Sequence, residues 1–182
     1  MKKYLFLMFL LLLLSLLHGC TDKKEEVAED VTQDTKKVKM IGMSFDSFVI
    51  ERWQRDRDVF VSTAKELGAT VNVQNANGDV QEQISQIEYF ISKKMDAIVI
   101  ISTDSVKLKD VVVKAKDAGI KVIAYDRLIN NADVDLYISF DNEAVGEKMA
   151  EALVNYGLKN KKIIMLGGPT TDHNVSMVES KF

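Results

Sequence analysis

The sequence contains only one cysteine and two histidines among its 182 residues. With Cys20 as the sole cysteine, no disulfide can form within the chain, and a cysteine-rich metal site is excluded. The two histidines, His18 and His173, leave a Ser-His-Asp triad or a His-based metal site without the parts it needs. The G-x-G-x-x-G and P-loop phosphate-binding patterns are absent as well. We therefore expect no metal, no cofactor and no catalysis, and a protein that works by binding.

The charge pattern gives no reason to expect a nucleic-acid partner. The formal net charge is -3, and no basic run is interleaved with aromatic residues. Residues 21–38 are mostly charged and carry few apolar side chains, so they cannot bury enough surface to offset the entropy of ordering. We interpret residues 21–38 as a disordered tether.

The first twenty residues have the pattern of a lipoprotein signal peptide. Two lysines precede an apolar run over residues 4–17, which is short for a segment that spans a bilayer. Gly19 directly precedes Cys20, and Leu17 lies three residues before it, as in a lipobox. Cleavage there would leave Cys20 with a lipid on its thiol and hold the chain to a membrane outside the cytoplasm. An ordinary signal peptide and an uncleaved N-terminal anchor are the alternatives.

Apolar runs and amphipathic runs alternate over residues 39–182. Strands are predicted at 39–44, 70–73, 97–101, 121–125, 135–139 and 162–166, and helices at 48–67, 80–91, 105–118 and 143–156. In the first helix, the apolar side chains at helical spacing are Trp53, Phe60, Ala64 and Leu67. The uninterrupted run over 97–101 is typical of a parallel strand covered on both faces. The fold class is therefore α/β, a doubly wound parallel sheet with flanking helices.

Polar and aromatic side chains follow the predicted strands, at the edge where ligands bind in such sheets. A sugar hydroxyl both donates and accepts hydrogen bonds, and an apolar ring surface suits the C–H face of a pyranose. These residue types therefore indicate a small polyhydroxylated ligand. The alternatives are that Asp79, Asp104 and Asn142 only cap helices, that Trp53 belongs to the core, and that Arg127 forms a surface ion pair. The candidate binding residues are Phe45, Asp46, Arg52, Trp53, Asp126, Arg127, Asp172 and Asn174.

Several of these segments resemble the D-xylose-binding proteins, which are periplasmic or lipid-anchored receptors of sugar ABC transporters. The similar stretches are KMIGMSFD at 39–46, ERWQRDRD at 51–58, VQNANG at 73–78, AYDRLI at 124–129 and YISFDN at 137–142. The resemblance covers about residues 38–174. It implies a periplasmic binding protein-like fold of two lobes that close on one monosaccharide, with D-xylose as the first candidate.

The resemblance also assigns roles to residues. Arg52 and Trp53 are expected to form part of the pocket, and Asp126 and Arg127 to bind sugar hydroxyls. Asp172 and Asn174 match the Asp-x-Asn of the family, although His173 between them departs from it. Implied partners are an ABC permease or, alternatively, a membrane histidine kinase to which the chain presents its sugar.

Length is the main departure from the family. Residues 39–140 correspond to the N-terminal lobe, and residues 141–182 to only the start of a C-terminal lobe, which leaves the second lobe incomplete. A shortened gene or one part of a split gene is expected, with impaired sugar binding. A repressor of the same fold is disfavoured because a signal segment stands where its helix-turn-helix would lie.

Overall fold

Strands and helices alternate along the part of the chain that the computed structural model describes, residues 37–158 and 162–182. The signal segment, Cys20 and residues 21–36 of the predicted tether lie outside the described residues. The elements in chain order are β1 (Lys39–Phe45), α1 (Glu51–Glu66), β2 (Ala69–Asn75), α2 (Val80–Ser92), β3 (Ala97–Ile100), α3 (Lys109–Asp117), β4 (Lys121–Tyr125), β5 (Leu136–Ile138), α4 (Asn142–Asn155) and α5 (His173–Lys181).

All five strands belong to one parallel sheet with the order β2-β1-β3-β4-β5. The predicted doubly wound α/β fold is confirmed. The chain runs from β1 outward to β2 and then returns past β1 to β3, so the strand order reverses between β1 and β3. In sheets of this kind the crevice for a ligand lies beyond the carboxyl ends of the strands at that reversal.

The two faces of the sheet bury separate apolar cores. Ile98 and Ile100 of β3 pack on the face covered by α2 and α3, together with Phe90. Val99 and Ile101 point to the opposite face, where Trp53 of α1 packs against them. Because successive side chains of a strand alternate between faces, a strand covered on both sides must be apolar throughout.

The predicted helix cap is confirmed for α2, whereas the structure differs from the sequence pattern at the starts of α3 and α4. The Asp79 carboxylate accepts hydrogen bonds from the first backbone N–H groups of α2, as predicted. Asp104 caps a turn that precedes α3, which begins four residues later than predicted. Asp141 is the N-cap of α4, so the capping role considered for Asn142 is wrong. Helix α1 ends at Glu66, one residue before the predicted end, and Leu67 lies 79% exposed in the following turn.

The chain after α4 differs most from the sequence prediction. The predicted strand at 162–166 is wrong: this segment has no regular secondary structure and pairs with no strand among the described residues, and Ile164 and Leu166 are exposed. The next element is the helix α5, which the sequence did not predict, and Asp172 is its N-cap.

Candidate functional site

The carboxyl edge of the sheet brings most of the predicted binding residues together. Asp46 follows β1, Asp126 and Arg127 follow β4, and the start of α5 adds Asp172 and Asn174. The candidate site is defined here as these five residues together with Arg52, Trp53 and Ser102. It lies at the position that the strand order favours for a ligand.

Arg127 occupies the centre of the site. Its Nη1 donates to Asp46 Oδ2 at 2.7 Å and to the backbone oxygen of Ser102 at 3.1 Å. Its Nε lies 2.8 Å from Asp172 Oδ2. The side chain is only 11% exposed, so Arg127 is not the surface ion-pair partner that the sequence left open. A guanidinium fork of this kind holds several acceptors in a fixed geometry.

Arg52 forms the second cationic part of the site. Its guanidinium pairs with the Asp126 carboxylate and lies over the Trp53 ring, 4.1 Å from the ring centroid. The exposed Phe140 ring is also near, with its centroid 5.4 Å from the same guanidinium. Its Nε also lies 3.5 Å from Asp56 Oδ2, so Arg52 is held between two carboxylates and near two aromatic rings, and it remains partly open to solvent.

Asp126 has a left-handed backbone conformation, with φ of +65°. Such a conformation is uncommon for residues other than glycine and is maintained by surrounding contacts. Its N–H donates to Ile138 O at 2.7 Å, and its carbonyl oxygen accepts from Ser139 Oγ at 2.6 Å and Tyr137 OH at 3.3 Å. Asn174 Nδ2 donates to the same carbonyl and to Asp126 Oδ1, both at 3.2 Å. These bonds direct the Asp126 carboxylate toward Arg52.

The predicted aromatic residues lie beneath the polar groups rather than beside open space. Phe45 and Trp53 are both buried in the core. The Phe45 ring packs on that of Phe48, with centroids 4.9 Å apart, and Trp53 meets the edge of Tyr125 at 6.4 Å. Trp53 is therefore a core residue that also supports Arg52, and its predicted contact with a sugar stays a prediction.

Two buried glutamines that the sequence pattern missed join the carboxyl ends of three strands. Gln83 Nε2 donates to Ile101 O at 2.9 Å, while its Oε1 accepts from the N–H of Thr103. Gln86 Nε2 donates to Asn75 O at 3.0 Å, and its Oε1 accepts from the Ser44 hydroxyl. Their only sequence signal is the spacing of three, which places both on the core face of α2. They hold the strand ends on which the site is built.

Tyr125 adds a neutral hydroxyl next to the site. Its OH donates to Asp56 Oδ2 at 2.9 Å. Burial raises the pKa of Tyr125 above its ordinary value, and the hydrogen bond to the Asp56 carboxylate raises it further. The phenol therefore remains a protonated donor at neutral pH.

Unused hydrogen-bonding capacity is concentrated in this site. Among the described residues, five buried side-chain atoms have no hydrogen-bond partner, and all five belong to residues of the site: Asp46 Oδ1, Arg52 Nε, Trp53 Nε1, Ser102 Oγ and Asn174 Oδ1. Buried polar atoms without partners are rare in proteins and costly. Both donors and acceptors occur among these five atoms, which suits a ligand that itself donates and accepts.

The same part of the chain has no arrangement typical of a metal centre. Within residues 37–158 and 162–182, no three His, Cys, Asp or Glu side chains are grouped so as to hold a metal ion. The charged groups of the site alternate in sign, because each arginine lies between carboxylates. Such an arrangement favours neutral polar ligands over strongly charged ones.

Comparison with known proteins agrees with the fold and identifies the family. Residues 41–182 match the model of the periplasmic binding protein domain, and the chain belongs to this family. It is 49% identical, over 148 residues, to the D-xylose-binding periplasmic protein of Escherichia coli strain K12, a match that covers 81% of this chain and 44% of that protein. It is 51% identical, over 137 residues, to the D-xylose-binding periplasmic protein of Haemophilus influenzae, covering 75% and 41% respectively.

A solved structure of a similar protein has the same architecture. The solute-binding protein of an ABC transporter from Clostridium phytofermentans, with bound β-D-glucose, is 36% identical, with a TM-score of 0.72. The match covers 79% of this chain and 46% of that one. The chain thus spans less than half the length of the relatives it matches. These relatives are binding proteins and not enzymes, which agrees with the prediction of a non-catalytic role.

Proposed function

We propose that the candidate site binds a single monosaccharide, with D-xylose as the first candidate, and that the chain belongs to the binding component of an ABC transport system. The observation that carries the proposal is the cluster of unpartnered donors and acceptors around two arginine–aspartate systems. The names of the two D-xylose-binding relatives support the choice of sugar.

The chemistry of the site suits adjacent hydroxyl groups. Each hydroxyl can donate to a carboxylate such as Asp126 and accept from a guanidinium such as Arg127. Hydrogen bonds to charged groups are about twice as strong as those between neutral groups. Asp126 and Arg127 are consecutive and held by fixed contacts, so little conformational freedom is lost when they bind a ligand.

The assignment of lobes is part of this proposal. Residues 39–140 would form the N-terminal lobe, with the groups after β1 and β4, and residues 141–182 the start of the second lobe, with Asp172 and Asn174. The contacts of Asp172 with Arg127 and of Asn174 with Asp126 support a shared ligand site for the two segments.

Isothermal titration of the chain with D-xylose and D-glucose tests the proposal. We expect D-xylose to bind, and Asp126→Asn to weaken binding by about tenfold or more, because a charged hydrogen bond to the sugar is lost. Asparagine tolerates the left-handed conformation at this position, so the fold should persist. The matched control is Asp58→Asn on the outer surface of α1, which should bind like the unmodified chain.

Absence of heat with both sugars, in a chain that is folded by circular dichroism, would contradict the proposed function. A dissociation constant for D-xylose in the micromolar range would instead contradict the expectation of impaired binding made from the sequence.

The second candidate function is that of a sugar sensor, which presents its ligand to a membrane histidine kinase. Both functions require an extracytoplasmic location, for which we propose a lipid anchor on Cys20. A pull-down with a kinase ectodomain, compared with one using an ABC permease, separates the two. Retention by the kinase alone would contradict the transport role.

A further inference from the structure

Helix α5 lies against three glycines of the preceding chain. Gly146 is on α4, and Gly167 and Gly168 are in the segment between α4 and α5. A Cβ atom added at Gly146 would lie 2.1 Å from the backbone oxygen of Val178 in α5. Backbone of one helix thus contacts the surface of the other, an approach that only glycine permits.

Gly167 and Gly146 differ in what an added methyl group would meet. At Gly167 the nearest atom is Oε1 of Glu179 at 2.7 Å, the movable end of a flexible side chain. At Gly146 the added methyl group would clash with the α5 main chain itself. This clash can be relieved only if the helix moves. Gly146 therefore sets how closely α5 approaches α4.

The position of α5 matters because its first turn belongs to the candidate site. Asp172, its N-cap, lies 2.8 Å from Arg127 Nε, and Asn174 donates to Asp126 at 3.2 Å. Hydrogen bonds at these distances are lost when the partners separate by an ångström. A shift of α5 away from α4 would therefore disturb two of the charged groups proposed to hold the sugar.

We propose that Gly146 is a positioning residue: it lets α5 lie close enough to α4 for Asp172 and Asn174 to reach Arg127 and Asp126. Its effect on sugar affinity rests on the proposed function, whereas its effect on α5 does not.

Amide hydrogen exchange of α5 tests the placement without any ligand. We expect Gly146→Ala to increase exchange of the α5 amides by tenfold or more, on the order of the effect of losing one or two tertiary hydrogen bonds. Gly167→Ala is the matched control, since it adds the same methyl group next to the same helix. It should leave exchange close to that of the unmodified chain, because the Glu179 side chain can swing aside.

Titration with D-xylose tests whether the placement acts through the site. Asn174→Ala should weaken binding about tenfold in the unmodified chain and in Gly167→Ala. In the Gly146→Ala background, Asn174→Ala should weaken the affinity for D-xylose by less than about twofold, because Asn174 is already displaced there. A residue that contributes only to stability would not abolish the effect of Asn174→Ala.

Two results overturn the inference: protected α5 amides in Gly146→Ala, or an undiminished effect of Asn174→Ala in that background. If Gly146→Ala does not fold, Val175→Asp provides the same test from the α5 side, since Val175 packs over Gly167 and Gly168 and α4 is left unchanged. Val175→Asp must then release α5 and weaken binding. If neither sugar binds the unmodified chain, the proposed function fails and the exchange measurement alone decides the role of Gly146.

Discussion

Arg127 contacts three separate parts of the fold through one guanidinium group. Its acceptors come from the end of β1, the end of β3 and the start of α5. In the absence of this side chain, Asp46 and Asp172 would face each other as buried carboxylates without a counter-charge. Breaking a buried ion pair by removal of one partner costs much more than the pair itself contributes.

We therefore expect Arg127→Met to lower the free energy of unfolding by about 3–5 kcal/mol, measured by urea denaturation. The matched control is Arg55→Met. Arg55 pairs with Glu51 on the α1 surface and is 73% exposed, and its loss should cost less than about 1 kcal/mol. Equal losses in the two variants would show that the Arg127 pairs contribute no more than surface pairs.

At the scale of single elements, one arrangement occurs twice at the amino edge of the sheet. Asp96, directly before β3, accepts from the N–H of Met40 in β1 at 2.8 Å and from Lys39 Nζ at 2.9 Å. Asp135, directly before β5, accepts in the same way from Val122 and Lys121 of β4, each at 2.9 Å. Each aspartate thus joins the start of its own strand to the neighbouring strand.

These contacts predict an acid-dependent loss of stability. The pKa of Asp96 is lowered from 3.8, first by the Met40 N–H and then by Lys39. The pKa of Asp135 is lowered from 3.8 in the same way by the Val122 N–H and Lys121. A carboxyl group with a lowered pKa in the folded state stabilises the fold above its unfolded pKa. That contribution disappears as the pH falls below 3.8 through the folded value.

The double variant Asp96→Asn, Asp135→Asn should therefore show a smaller difference between its urea midpoints at neutral pH and below pH 3.8 than the unmodified chain. Asp58→Asn, which removes an exposed carboxylate on α1, is the control and should retain the full difference. If the double variant lost as much stability in acid as the unmodified chain, the acid-dependent loss would come from other groups.

Sequence periodicity predicted those elements well whose signal lies in residues close together in the chain. The apolar run of β3 and the capping Asp79 of α2 were both identified. The burial of Gln83 and Gln86 was not predicted, because a glutamine on a helix normally faces solvent. Only their partners on three strands explain the burial. The left-handed conformation of Asp126 was not predicted either, for the same reason, since residues of β5 and α5 hold it.

At the scale of the whole molecule, the described sheet has an open side. β5 pairs only with β4 among the described residues, and its Leu136 is 48% exposed. The segment over 162–166 is apolar and exposed as well. An exposed edge strand and an exposed apolar segment of this kind are typical of surfaces that another element or chain covers. None of the helices in the described ranges is long and apolar enough to span a bilayer.

The proposed lipid anchor is Cys20, which lies outside the described residues. If a lipid on its thiol provides the anchor, Cys20→Ser should move the protein from the membrane fraction to the soluble fraction and abolish labelling with a fatty-acid precursor. Fractionation after high-salt washing measures this. Persistence of the Cys20→Ser chain in the membrane fraction would favour an uncleaved N-terminal anchor.

The sequence by itself determined the α/β architecture and the polar residues at the carboxyl edge. Both follow from local rules, because periodicity defines strands and helices, and parallel crossovers bring all the strand ends to one edge. Only the tertiary structure decided which carboxylates pair with Arg52 and which with Arg127. It also decided how α5 places Asp172 and Asn174 against the site. These contacts join residues far apart in the chain, and they depend on packing such as that at Gly146.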